Sequence, residues 1–299
     1  MANSTQINCK PPIFELMSEP TAVAGEHLNM VWRALACPHG TSEPGSAMII
    51  KGLCTPISLA TELACALAGI YLKLPIPAPC LVLCDPDLVI QLPEDLRQRS
   101  MKASDGNLIY FGSRLVFEYP IRPTGTADPR IIERIWNKLC SNDVAPAGAA
   151  WDELVANPDR HHENMTFDGE QWWLYDHDKA LAPLAELFAR LAEIDNRQTI
   201  ATHRATRNQI ASEMERRRCD MTRIGQRSKV MSRGSKAFDL LVSQVEQWIY
   251  DDTRVQGVLT LTADVLRSIG FRLPAIELLV EQRINTREMP PLLWSDQDA

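Results

Sequence analysis

Asn157-Pro158-Asp159-Arg160-His161-His162-Glu163-Asn164, running on through Met165-Thr166-Phe167-Asp168-Gly169-Glu170-Gln171-Trp172-Trp173-Leu174-Tyr175 to Asp176-His177-Asp178, holds most of the chemistry of this chain. Pro158 keeps Asn157 out of helical geometry, so a preceding helix stops there and the polar residues that follow form a loop. Asp168-Gly169 lies between Met165–Phe167 and the aromatic run Trp172–Tyr175, which predicts a tight hairpin. A hairpin brings the chain back to its start, so Asp176 is expected beside Asp159 and Asn164, with Asp178 falling off the site. Two carboxylates and an amide oxygen around one point suit magnesium, which is commonly held by one or two carboxylates plus substrate phosphates.

The order Asp-x-x-x-x-Asn, hairpin, Asp resembles that of protein-kinase-like phosphotransferases. The finer pattern Asn157-x-Asp159-x-His161-x-x-Asn164 resembles the HipA-like kinases, and Asp159-Arg160-His161 is also similar to the lipid kinase catalytic loop. The resemblance implies that Asp159 orients or deprotonates an acceptor hydroxyl and that Asn164 and Asp176 hold magnesium. His161 has two readings, a brace of the loop or a donor to the transferring phosphoryl group; Asn157 reads as a second brace.

Upstream, His27–Leu35 and Ala47–Lys51 are mostly apolar runs joined by a Pro-, Gly- and Ser-rich segment, which predicts two strands. Lys51 closes the second. After Gly52 and Pro56, Ser58 is placed to cap a helix through Leu72, with Leu59, Leu63, Ala66, Leu67 and Ile70 on one stripe and Glu62 at its edge. A strand lysine followed by a helix glutamate is the pair that positions nucleotide phosphates in kinase folds, so Lys51 and Glu62 are expected to serve ATP. A lysine at a strand end can also snorkel to water, and a first-turn glutamate can simply answer the helix dipole. The Leu74-Pro75-Ile76-Pro77 turn, the strand Cys80–Cys84 and Tyr110-Phe111-Gly112-Ser113-Arg114 extend the HipA-like resemblance over roughly Trp32 to Leu181 in element order.

The chain contains no Gly-x-Gly and no Walker lysine motif, so the phosphates need another cradle. Thr55-Pro56-Ile57-Ser58, opening a helix, is one source of backbone amides. Leu115–Tyr119 is expected to be the strand that leaves the first lobe, with Pro120 and Pro123 at the crossing. Arg130–Cys140 reads as an amphipathic helix and Trp151–Ala156 as a short one before the loop; further helices are expected over Lys236–Tyr250 and Pro274–Ile284.

These elements predict an α+β, two-lobed protein-kinase-like fold. Its parts are a loose leader (1–19), a β-rich nucleotide-binding N-lobe (20–119), a helical C-lobe with catalytic loop and metal site (120–200), and a helical extension (201–299). The 299 residues carry a formal net charge of −7. Arg204–Lys236 holds ten Lys/Arg against three Asp/Glu, a net +7, which leaves −14 elsewhere. That window is either a solvated helical face or a basic patch facing an acidic partner, RNA or the nucleotide; overall acidity argues against DNA binding as the main task. Eight cysteines without a Cys-x-x-Cys read as free thiols, Cys80 and Cys84 among them as small core residues. The longest uncharged apolar run, Leu63–Leu72, is short of the roughly 20 residues a membrane span needs, and no signal segment is evident, so an intracellular, cytoplasmic protein is expected.

The function expected is ATP- and magnesium-dependent phosphate transfer to a hydroxyl acceptor, with serine or threonine on a protein the acceptor class that the resemblance implies. A catalytically silent nucleotide-binding module of the same fold is an alternative. So is a metal-dependent phosphohydrolase, because His161, His162, Glu163, Asp176, His177 and Asp178 are all ligand types and His177-Asp178 matches the dipeptide of that class. Such ligands normally come from helices, whereas Asp168-Gly169 and the aromatic run put these on a hairpin.

Overall fold

The computed structural model describes residues 10–22, 31–53, 55–89, 91–116 and 128–285. Strands dominate the first third: β1 (Ile13–Leu16), β2 (Thr21–Ala22), β3 (Val31–Pro38) and β4 (Ser46–Lys51) precede helix α1 (Pro56–Tyr71). Strand β5 (Pro79–Cys84), short helices α2 (Pro86–Val89) and α3 (Glu94–Gln98), and strands β6 (Met101–Lys102) and β7 (Leu108–Arg114) follow. Five strands close on themselves. β1 pairs parallel with β5, and β5–β7, β7–β4, β4–β3 and β3–β1 are antiparallel, so the last pairing returns to the first strand. β2 extends the edge of β3, and β6 that of β7.

Strand alternation divides the side chains between two cores. Ala34 and Ala36, Met48 and Ile50, Cys80 and Val82, and Leu108 and Tyr110 point into the barrel. Leu81, Ile109 and Phe111, one position out of phase, join the larger core built on α1 and the helical half. Lys51 follows Ile50 and therefore leaves the barrel on that outer side, toward α1. Gly112 sits where a β-carbon would collide with Cys80 Sγ and Val82 Cγ2, so the β5–β7 pairing requires glycine there.

The remaining chain is mostly helical: α4 (Pro129–Cys140), α5 (Val144–Leu154), the hairpin β8 (Met165–Phe167) and β9 (Trp172–Leu174), then α6 (Ile194–Thr202), α7 (Gln209–Arg216), α8 (Thr222–Arg233), α9 (Ser235–Glu246), α10 (Thr253–Arg272) and α11 (Ile276–Asn285). Helix α10 packs along α1, and α5 packs against α7, α8 and α11. No described helix is long and apolar enough to cross a membrane.

Several expectations change. The stretch assigned to a loose leader contains β1, which closes the barrel; four residues whose every partner is distant leave no local period to read. Within residues 201–285, α10 shares the core of α1 and the buried Arg272 guanidinium donates to the carbonyls of Glu153 (2.9 Å), Ile200 (2.5 Å) and Leu154, so this helical part is packed into the rest of the described chain. Thr55, not Ser58, caps α1: its Oγ1 accepts from the Ser58 amide at 3.2 Å, and Pro56 takes the first helical position. The strand expected over Leu115–Tyr119 ends earlier, at Arg114; Phe117 to Ala127, with both crossing prolines, lies outside the described residues. Helix α5 starts well before Trp151, since Pro146 falls in its first turn, where proline is tolerated. Much of the basic window is spent on ion pairs, Arg216 and Arg217 with Glu133 and Glu213, Arg223 and Arg227 with Asp143. Cys80 and Cys84 are free and buried, their thiols pushed up to about 12 by burial.

Candidate functional site

Lys51 ends β4 on the barrel's outer side, where Glu62 of α1 meets it with Nζ to Oε2 at 3.4 Å. Both side chains are nearly inaccessible, so neither a snorkelling lysine nor a solvated first-turn carboxylate describes them. A buried ammonium needs partners. Lys51 Nζ also binds Asp176 Oδ1 and lies 3.5 Å from Asp178 Oδ2, so strand, helix and the segment after the hairpin converge on one amine from positions 11 to 127 residues apart in the chain. Burial pulls the lysine pKa down, but the three carboxylates outweigh it and the net shift is upward.

The hairpin delivers Asp176. β8 and β9 pair Met165 with Leu174 and Phe167 with Trp172, leaving a four-residue loop rather than a two-residue turn. Asp168 closes it: Oδ1 accepts from the amides of Glu170 and Gln171 at 2.8 Å each, and Oδ2 from Trp173 Nε1 at 2.7 Å. Gly169, at φ 111°, takes a conformation that side chains rarely adopt. At the open end the Tyr175 amide donates to the Asn164 carbonyl at 3.2 Å, which sets Asn164 beside the residue preceding Asp176. Asp176 itself is left-handed, φ 64°, an uncommon conformation that aspartate tolerates better than most residues.

Asp176, His177 and Asp178 then alternate. The two aspartates share the Lys51 side and His177 turns into the interior, which corrects the expectation that Asp178 stands off the site. Burial raises the Asp176 pKa, but Lys51 dominates and brings it down to about 2. Asp178 goes the other way. Burial, together with repulsion from Asp176 and Glu62, lifts it to about 6 against the pull of Lys51.

His177 Nε2 accepts from Trp151 Nε1 (3.1 Å) and faces an Arg160 Nη2 donor at 3.0 Å, so the ring proton belongs on Nδ1, 3.7 Å from Glu62 Oε1. Burial, foremost, holds its pKa below the ordinary value. The His177 amide donates to Glu62 Oε2 at 2.8 Å, tying the helix glutamate to the post-hairpin segment through the backbone. With both ring nitrogens committed inside the protein, His177 is no metal ligand. Among the described residues no three His, Cys, Asp or Glu side chains are grouped to hold a metal by themselves. The commitment of His177 counts against the phosphohydrolase alternative.

The loop before the hairpin is held from within. Arg160, fully buried, donates to Asp152 at 3.0 to 3.2 Å and to the carbonyls of Asn164 (2.8 Å) and Tyr175 (2.5 Å), so it ties both ends of the hairpin to α5. Asn157 Oδ1 accepts from the Asp159 amide at 3.0 Å, and Asn164 Nδ2 donates to the Asp159 carbonyl at 2.8 Å. Asn164 Oδ1 accepts no hydrogen bond from the described residues and remains open to a cation, the donor type that magnesium takes. His161 Nδ1 accepts from the Glu163 amide at 3.3 Å and so caps the 3-10 turn His162–Asn164. Asp159 is half-buried at the head of this loop.

Thr55–Ser58 offers less to a phosphate than its position suggests. Ser58 and Leu59 give their amides to Thr55 Oγ1 and Thr55 O at 3.2 Å, and Pro56 has none. The hydrogen-bond network that joins Trp151, Asp152, Arg160 and His177 is not foreseen from the sequence alone. Asp152-Glu153 inside the apolar run Ala145–Val155 was the available signal, since acids in such a helix need buried partners.

No family model matches the sequence, and no curated protein matches it. A solved structure does: the crystal structure of a Helicobacter pylori proinflammatory kinase, CtkA, superposes with a TM-score of 0.50 at 11% identity, over 88% of this chain and 97% of that one. At that identity the likeness concerns the fold alone: a β-rich N-terminal part and a helical C-terminal part arranged as in a kinase.

Proposed function

We propose that this chain is an ATP- and magnesium-dependent phosphotransferase that phosphorylates a hydroxyl on a protein, as the HipA-like resemblance suggests. The observation that carries the reading is the meeting of Lys51 with Glu62 and Asp176, because those three elements come together in kinase folds to hold nucleotide phosphates. Glu62 positions Lys51, and Lys51 binds phosphate oxygens of ATP. Asn164 Oδ1 and the Asp176 carboxylate suit magnesium, which supplies charge neutralisation for the phosphates when bound. Asp159 takes the acceptor's proton as its oxygen bonds to the γ-phosphorus; the bond to the β,γ-bridging oxygen breaks and ADP leaves with that electron pair. His161, through its cap, keeps the loop in register for Asp159 and Asn164. The silent-module alternative draws on one observation, the compensation of Lys51 by three carboxylates, which phosphates must displace in part.

Incubation with γ-labelled ATP and magnesium, with and without a protein mixture, is the test. Asp159→Ala should lower transfer by about 10²–10⁴-fold while the thermal shift with ATP and magnesium persists. Transfer at the wild-type rate in that variant would remove Asp159 from the mechanism. Nucleotide binding without transfer in the wild type would favour the silent module.

A further inference from the structure

Beside the loop that carries Asp159, a cleft of about 370 Å³ runs between α4 and α7. That volume lies within the range of built ligand sites, roughly 300–1,000 Å³. Its lining is mixed: Ile132 and Trp136 of α4 are apolar, Glu133, Glu213 and Arg216 are charged, and His161 and Arg207 lie at the loop.

The charges are not equivalent. Arg216 Nη2 meets Glu133 at 2.6 Å and Glu213 at 2.9 Å, and Arg217 contacts the same two carboxylates from outside the cleft, so this group of four is balanced. Arg207 is the lining cation with no carboxylate partner among the described residues. Its Nε is spent on the carbonyl of Pro158, 3.2 Å away and one residue before Asp159. That bond anchors an exposed side chain at the loop and leaves both terminal nitrogens, the bidentate edge of the guanidinium, for an anion.

We infer that this cleft receives the acceptor polypeptide, with Arg207 pairing an Asp or Glu side chain close to the phosphorylated hydroxyl; the inference rests on the phosphotransferase reading. A peptide fits better than a phosphorylated lipid or nucleotide. One cation answers one carboxylate, the balanced group of Glu133, Glu213, Arg216 and Arg217 offers a ligand with several negative charges no second unpaired cation, and Ile132 and Trp136 accept an apolar side chain. Arg207 acts in specificity, touching the acceptor at a distance from the reacting atoms.

The full chain should be tested with fluorescein-labelled peptides that share one serine and differ only in flanking Asp, Asn or Lys, by anisotropy for binding and with γ-labelled ATP for transfer. The Asp peptide should bind about tenfold more tightly than the Asn peptide. Arg207→Gln should bring that ratio to about one, and Arg207→Glu should turn the preference to the Lys peptide; unchanged melting would show both variants folded. Equal binding of the three peptides, or an Asp preference that survives Arg207→Gln, overturns the inference. So does binding of vesicles containing phosphorylated phosphatidylinositol in place of the Asp peptide. Transfer to all peptides without an acidic preference would overturn this inference and leave the kinase reading standing. An Arg207-dependent acidic preference in binding without any transfer would do the reverse.

Discussion

Lys51 and Arg160 are both buried cations within reach of the hairpin's open end, and their surroundings are built on different principles. Arg160 faces one carboxylate, Asp152; its other donors go to two carbonyls and an imidazole, so charge is matched and the donors are used. Lys51 faces Glu62, Asp176 and Asp178, more negative charge than one amine can neutralise. A balanced buried ion holds parts together. An overcompensated one leaves net negative charge in desolvated surroundings. That difference separates scaffold from site more clearly than burial, since Lys51, Glu62, Asp176, Arg160 and Asp152 are all buried.

Breaking the balanced node should have the largest effect on folding. Arg160→Ala leaves Asp152 charged and buried and strips donors from two carbonyls, so a loss of about 3–5 kcal/mol is expected by urea denaturation. A loss no greater than that of Lys51→Ala would erase the distinction between the two cations.

The excess charge at Lys51 is probed with magnesium. ATP with magnesium at 100 times its dissociation constant should stabilise the fold by about 2.7 kcal/mol. Asp176→Asn, which keeps shape and removes charge, should lose the magnesium-dependent part of that shift in a thermal melt and keep the part due to ATP alone. An intact magnesium response would take Asp176 out of the metal site.

The smallest effect concerns Asp178 without ligand. Its carboxyl is raised from 3.8 to about 6, so between those values the folded chain holds a proton that the unfolded chain has released. Stability from this group is therefore full near pH 4 and lost as pH rises through 6. Asp178→Asn cannot titrate and should exceed wild type by about 1–2 kcal/mol at pH 7.5, with the gap closing toward pH 4. His177 slopes the other way, because its depressed pKa costs stability as pH falls below 6.5, so the quantity to measure is the difference between variant and wild type. A pH-independent difference would place Asp178 outside the coupled group.

The legible parts of this molecule are those whose causes are local. Asp168-Gly169 between apolar runs marked the hairpin, although the Asp168 side chain, by taking two amides, makes its loop longer than the dipeptide suggests. Lys51, Glu62, Asn164 and Asp176 could be singled out because each breaks or ends a recognisable pattern. Asp178 could not, since its approach to Lys51 depends on the left-handed Asp176 and the turn that follows it, which no neighbouring residue type announces. Arg160 stood in plain view within Asp159-Arg160-His161. Its partners lie on α5 and across the hairpin, so its role follows only from the fold. β1 was lost for the same reason.

That strand has a practical consequence for anyone shortening the chain. Ile13–Leu16 is the stave that joins β3 to β5, and deleting residues up to 20 would leave two facing rows of backbone amides and carbonyls without partners. Unpaired edges recruit other chains, so the shortened protein should self-associate before it loses its helices. A purification tag placed close to Ile13 would tax the same seam.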